Sequence, residues 1–139
     1  MLTPEQIIGY GKKDASEHLH QTALFAWVAL DGVKIDPNMK WIYAVPNGGD
    51  RRLSVAASLK AEGVKKGVPD LCWPYPCGLY AGLYIEMKKP GREREARGGC
   101  SVEQDGWIEF LRNNHYYVCV CYGWEQARDT LIAYSKGQV

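Results

Sequence analysis

Leu19, Ala23, Ala26 and Leu30, widened by Trp27, recur at helical spacing and predict a long helix over Asp14–Leu30. Leu53, Ala56, Ala57 and Leu59 predict a second over Leu53–Glu62, with Gly63 as its C-cap. Ser101-Val102-Glu103-Gln104 is a capping box that opens a helix to Asn113, its inward stripe made by Trp107, Ile108 and Leu111. A closing helix over Gly123–Tyr134 buries Ala127, Leu131 and Tyr134. Between these lie aromatic and β-branched runs that predict strands at Trp41–Val45, Leu71–Trp73, Leu79–Met87 and His115–Tyr122. The second is ended by prolines, the third is antiparallel to it, and the fourth is strongly buried. Ahead of them all, Thr3-Pro4-Glu5-Gln6 starts a short helix that Gly9 and Gly11 end. Asp31-Gly32 and Asp36-Pro37-Asn38 mark a loop, and Pro46-Asn47-Gly48-Gly49 a turn. The segment PGREREARGG before Cys100, with glycines near both ends and alternating charge, predicts a mobile loop. The order of elements implies an α/β (α+β) fold: a central mixed sheet flanked by helices.

Within that frame, chemistry concentrates between Gly67 and Lys89, which read GVPDLCWPYPCGLYAGLYIEMKK. Asp70 follows a Gly-Val-Pro turn, and an apolar strand runs into Glu86-Met87-Lys88. Strand residues alternate faces, so Glu86 and Lys88 point one way while Ile85 and Met87 point into the core. Two carboxylates and an ammonium at the end of a two-stranded unit form a site for a hard cation with a basic group beside it. That set suits phosphodiester hydrolysis.

Composition narrows the setting. At 139 residues there is material for one domain and one core. No apolar run approaches the roughly 20 residues that span a bilayer, and Pro4, Glu5 and Gln6 interrupt any leader-like stretch in Met1–Lys13, so a cytoplasmic protein is expected. An odd count of five cysteines agrees, since Cys119 and Cys121 lie in a buried strand as small apolar groups. The net charge of +1 hides an asymmetry: Arg51–Arg97 holds ten Lys/Arg against five acids, a net +5, which leaves −4 for the rest. A phosphate-binding cleft places its charge in this way, although a solvated basic surface does so too.

Several residues carry a plain reading beside the functional one. Glu17 and Gln21 stand four apart and make an exposed helical pair, or else Glu17 faces the cleft. Gln104 is the N3 residue of a capping box, which is reason enough for it. Asn47 belongs to a turn before it is a DNA contact. His18, His20 and His115 have no second ligand at metal-binding spacing and are structural or surface residues.

The ordered series Glu17…Gln21, Pro46-Asn47-Gly48-Gly49, Lys66-Gly67-Val68-Pro69-Asp70, Gly82-Leu83-Tyr84-Ile85-Glu86-Met87-Lys88, Ser101-Val102-Glu103-Gln104 and Gly123-Trp124-Glu125-Gln126-Ala127 resembles the VRR-NUC (virus-type replication-repair nuclease) family of the PD-(D/E)XK superfamily. The likeness runs from about Glu17 to Tyr134, so residues 1–139 are expected to form one nuclease domain with 1–13 a short N-terminal extension. The resemblance implies a restriction-endonuclease-like core. It implies that Asp70, Glu86, Glu17 and the Met87 backbone carbonyl hold Mg²⁺ or Mn²⁺, that Lys88 positions or deprotonates the attacking water, and that Gln104 lines the site. Lys65, Lys66, Lys89, Arg92, Arg94, Arg97 and Asn47 are the expected DNA contacts. At this length the likeness is to stand-alone phage or bacterial members, which implies a homodimer resolving four-way (Holliday) DNA junctions. Cutting of flaps or single strands, a restriction-like activity, and a catalytically silent DNA-binding subunit are the alternatives.

Overall fold

A computed structural model describes residues 1–10, 15–46 and 53–139. Helix α1 (Pro4–Tyr10) opens as expected: Thr3 Oγ1 accepts from the Gln6 N–H at 3.2 Å, and Gln6 Oε1 accepts from the Thr3 N–H at 2.9 Å. Gly9 lies inside this helix instead of ending it, and Gly11 falls outside the described residues.

Helix α2 (Glu17–Trp27) is capped by the Ser16 hydroxyl, which accepts from the Leu19 N–H at 3.3 Å. The expected start at Asp14 lies outside the described residues. The chain does not stop at Leu30. It passes through a π-helical turn, Val28–Gly32, into the short α3 (Val33–Ile35), so the loop expected at Asp31-Gly32 is helical. The wider π turn moves the apolar stripe: His20, Ala23, Leu24, Ala26, Trp27 and Val28 are buried, while Leu19 and Leu30 are half-buried. A 3₁₀ helix, Pro37–Trp41, follows, started by Pro37 and by the Asp36 carboxylate, which accepts from the Asn38 N–H at 2.9 Å. This local capping consumes the start of the strand expected at Trp41, and β1 is only Tyr43–Ala44. The turn expected at Asn47-Gly48-Gly49 lies outside the described residues.

Helix α4 (Leu53–Ala61) forms where expected and ends at Gly63, whose φ is +99°. Its apolar spacing is not matched by burial, since Ala56 and Ala57 are exposed and Leu59 is half-buried. Strands β2 (Leu71–Trp73), β3 (Gly82–Lys88) and β4 (Tyr116–Tyr122) complete a sheet of order β1-β2-β3-β4. The first two pairings are antiparallel and β3–β4 is parallel, with helix α5 (Val102–Asn113) as the crossover. Strand β3 starts three residues later than expected because Leu79 stands on the exposed turn. Strand β4 is an edge with only Val118 and Cys121 buried and its other residues half-buried, less enclosed than its apolar run suggests. His115, with φ of +71°, precedes it as a turn residue.

The sheet divides two cores. Leu71, Trp73, Leu83, Ile85 and Met87 face α2 and the closing helix α6 (Trp124–Ser135), which buries Trp124, Ala127, Leu131 and Tyr134. The opposite face carries Tyr84, Tyr116, Val118 and Val120 against Ile108 and Leu111 of α5. His20 joins α2 to α6 by accepting from the Trp124 N–H at 3.1 Å through Nδ1. Burial lowers its pKa, with Glu125 opposing, and the accepting role requires the neutral ring.

Candidate active site

Register decides which side chains of β3 can do chemistry. Leu71 pairs with Ile85, so the Asp70 backbone continues the ladder just beyond the end of β2. There its carboxylate replaces a strand neighbour: Asp70 Oδ2 accepts from the Met87 N–H at 2.7 Å. The fully buried Pro69 and a bond from the Val45 N–H to the Asp70 carbonyl at 2.8 Å fix the main chain on the other side. On the α5 face of β3, the apolar Tyr84 gives way to Glu86 and Lys88. Both are almost wholly buried, at 2% and 4% exposure.

The N-terminus of α5 arrives over this pair. Gln104 completes the capping box, its Oε1 accepting from the Ser101 N–H at 2.8 Å and the Ser101 hydroxyl accepting from the Gln104 N–H at 3.1 Å. The same Oε1 accepts from Lys88 Nζ at 3.1 Å, and Nε2 donates to Glu86 Oε1 at 2.8 Å. Both donors to the amide oxygen have no acceptor capacity, so the amide orientation is fixed by chemistry. The two readings of Gln104 are therefore compatible: one amide both caps the helix and holds the acid and the base.

Lys88 Nζ lies 3.5 Å from Glu86 Oε1. The pair is nevertheless not a simple salt bridge. Burial pushes the Glu86 carboxyl up to about 9, the negative charge of Asp70 adds to the rise, and Lys88 opposes both without overcoming them. Near neutral pH the metal-free Glu86 is thus protonated. Its second oxygen, Oε2, is buried and, as an ionised acceptor, has no donor; protonated, the carboxyl has a hydrogen bond with Asp70 that helps raise its pKa. A hard divalent cation would take that proton's place once both carboxyls are ionised. Among the described residues, no three His, Cys, Asp or Glu side chains gather about one point, so Asp70 and Glu86 fit an ion that keeps waters or substrate oxygens in its remaining positions.

These groups line a cleft of about 630 Å³ that also includes Glu17, Lys66, Gly67, Arg92, Glu95 and Ser101. Glu17 reaches the cleft from the first turn of α2, where it is held by Arg92 Nη1. Arg92 also donates to Glu95 at 2.8 Å and to the Gly99 carbonyl at 3.0 Å. The expected mobile loop is therefore two 3₁₀ turns, Arg92–Arg94 and Ala96–Gly99, drawn onto the cleft by one guanidinium and by Tyr122 OH donating to the Gly98 carbonyl at 2.7 Å. Arg92 is spent on protein acceptors in this arrangement. Of the other expected DNA contacts, Lys66 lines the cleft, Lys65, Lys89, Arg94 and Arg97 are exposed, and Asn47 lies outside the described residues. Lys66 and Arg97 each face an α5 acid at 3.7 Å, Glu103 and Asp105 respectively.

Glu95 escaped the sequence reading, which took Gly67 only as part of a turn. Glu95 looked like one charge of an alternating run. Gly67 has φ of +91°, and a Cβ there would stand 2.7 Å from the Glu103 backbone and 2.9 Å from the Gln104 nitrogen. Only glycine lets the Asp70 segment approach the start of α5 this closely. Gly67→Ala is expected to destabilise the fold by about 1–3 kcal/mol and to lower catalytic activity beyond that loss. Thermal melting beside turnover at a temperature where both proteins are folded checks this; unchanged turnover would separate Gly67 from the site.

Comparison with known proteins identifies the family and the fold. Residues 15–125 match the family described as VRR-NUC domain. A solved structure named VRR_NUC domain protein is 30% identical, with a TM-score of 0.70 over 87% of this chain and 88% of that one. Among curated proteins, nothing matches.

Proposed function

Because this chain belongs to the VRR-NUC family of nucleases, we propose that it is a metal-dependent, structure-specific DNA endonuclease whose chemistry is carried by Asp70, Glu86 and Lys88. The observation that carries the reading is the buried Glu86, with one oxygen tied to Gln104 and its carboxyl coupled to that of Asp70. Asp70 and Glu86 would hold Mg²⁺ or Mn²⁺, with the Met87 carbonyl and Glu17 as further oxygen donors. Bound there, the ion would supply positive charge against the scissile phosphate and a more acidic water. Lys88, tethered 3.1 Å from Gln104 Oε1, orients the attacking water and counters the negative charge that builds on the phosphate. Gln104 keeps acid and base in register. Lys65, Lys66, Lys89, Arg94 and Arg97, with Asn47, hold flanking phosphates, contacts that position DNA without reading its sequence.

The favoured substrate is a four-way junction cut by a homodimer, because two symmetric incisions require two sites related by a twofold axis. Cleavage of a labelled junction, with splayed-arm and flap DNA alongside in Mg²⁺ and in Mn²⁺, tests this directly. Paired symmetric cuts on the junction are expected, together with a dimer in sedimentation at micromolar concentration. Preferential cutting of flaps by a monomer would keep the chemistry and reject the resolvase. Binding without cleavage of any substrate would leave a catalytically silent DNA-binding subunit.

A further inference from the structure

Next to the cleft, α5 carries a second groove that the hydrolytic reading does not use. It encloses about 460 Å³ and is lined by Lys66, Glu103, Gly106, Trp107 and Phe110. Phe110 is 58% exposed, and Trp107 meets it edge to face, with ring centroids 6.2 Å apart and planes at 88°. Two rings at right angles make two walls of a slot for a planar guest.

The floor is Gly106. Glycine is a poor helix former, yet this one stands in the second turn of a twelve-residue helix. A Cβ on Gly106 would meet nothing within 4 Å, so packing does not demand its absence. What the missing side chain does is keep the slot open between Glu103 and Phe110.

The groove is continuous with the cleft. Lys66 lines both, and Glu103 precedes the Gln104 that holds Glu86 and Lys88. Glu103, Gly106, Trp107 and Phe110 share one face of α5, and the seven steps from Glu103 to Phe110 span about 10 Å. Stacked nucleotides rise about 3.4 Å each along a strand, so a strand leaving the cleft over Lys66 reaches the rings within about three nucleotides. Aromatic faces flanked by a lysine are the usual platform for unpaired bases.

We propose that Gly106, Trp107 and Phe110 form a stacking shelf for an unpaired nucleobase of the strand that exits the cleft past Lys66. The inference rests on the nuclease reading and gives it a reason to prefer branch points, where bases leave the duplex stack. A paired base cannot enter the slot.

The test uses the whole chain in EDTA, so that binding is read without cleavage. Two probes are compared by anisotropy: a blunt duplex, and the same duplex with a five-nucleotide tail carrying 2-aminopurine near the junction. Wild type is expected to favour the tailed probe and to quench the 2-aminopurine. Phe110→Leu keeps an apolar side chain but no ring, and should weaken tailed-probe binding by about 5- to 150-fold while blunt-duplex binding stays within about twofold. Gly106→Gln should raise the melting temperature, since the helix gains a better former, and still lose the quenching because the slot is filled. Phe110→Trp should retain both. Equal weakening on both probes, or no preference by wild type, would overturn the shelf. So would a wild-type dimer that Phe110→Leu converts to a monomer, because a second copy would then cover the rings. Failure of wild type to cleave any DNA in Mg²⁺ or Mn²⁺ would sink the nuclease reading separately, leaving the tailed-probe comparison to be judged by itself.

Discussion

Lys88→Ala is expected to abolish metal-dependent cleavage, by at least the 10²- to 10⁴-fold typical of a positioned acid–base group, while leaving DNA binding largely intact. Lys88 is buried and, among the described residues, its ammonium reaches Gln104 and Glu86, so it is not an outer phosphate contact. Removing one member of a buried ion pair ordinarily leaves a costly naked charge. Here that penalty is blunted. The metal-free Glu86 is protonated near neutrality, so the alanine variant loses packing and a hydrogen bond without stranding a carboxylate. Melting by circular dichroism should therefore show a folded protein. Filter binding and cleavage of the same labelled junction separate the two roles, and equal loss of both would refute a catalytic Lys88.

The second large effect concerns protons and metal. Glu86 titrates at about 9 in the folded, metal-free protein against an ordinary 4.5. A carboxyl whose folded pKa is raised adds stability fully below the unfolded value and loses it as pH rises through the folded one. The metal-free protein should thus become less stable between about pH 4.5 and 9. Metal coordination demands the ionised carboxylate, so the ion must displace that proton. Affinity for Mn²⁺ is expected to rise about tenfold per pH unit below 9, roughly 100- to 1000-fold from pH 6 to 9. Calorimetry in buffers of different ionisation heat should find close to one proton released per ion at pH 7. Glu86→Gln should abolish that release. Binding that is indifferent to pH would contradict the buried, protonated acid.

How much of this could be read from the sequence depended on whether a feature was local. Asp70, Glu86 and Lys88 were legible because strand alternation alone puts Glu86 and Lys88 on one face, and a proline turn delivers Asp70 to the same end of the sheet. Gln104 was legible as a cap, and only its neighbours in space reveal that the cap and the site share one amide. The long helix over Asp14–Leu30 failed at its far end, because a π turn is set by packing against Met39 and Trp27 rather than by the spacing of apolar residues. The segment after Lys88 was misjudged for a related reason. Its charges alternate like those of a solvated loop, but Arg92 finds Glu17 from 75 residues away, a pairing with no signature in either local stretch. Trp107 packs against the core as its place in the stripe predicts, whereas the exposure of Phe110 beside it became visible only once the helix was placed.

The parallel β3–β4 pairing has a consequence for the timing of activity. Parallel neighbours cannot be joined by a tight turn, so the chain must complete α5 and return through Tyr116–Tyr122 before β3 is flanked on both sides. Helix α5, which delivers Gln104 to Glu86 and Lys88, is anchored through Ile108 and Leu111 against Val118 of that returning strand. Contacts this distant in sequence form late in folding. A nascent or truncated chain that already carries Asp70, Glu86 and Lys88 still lacks the support that aligns them. Alignment of the site therefore waits on the return of β4, a delay imposed by topology alone.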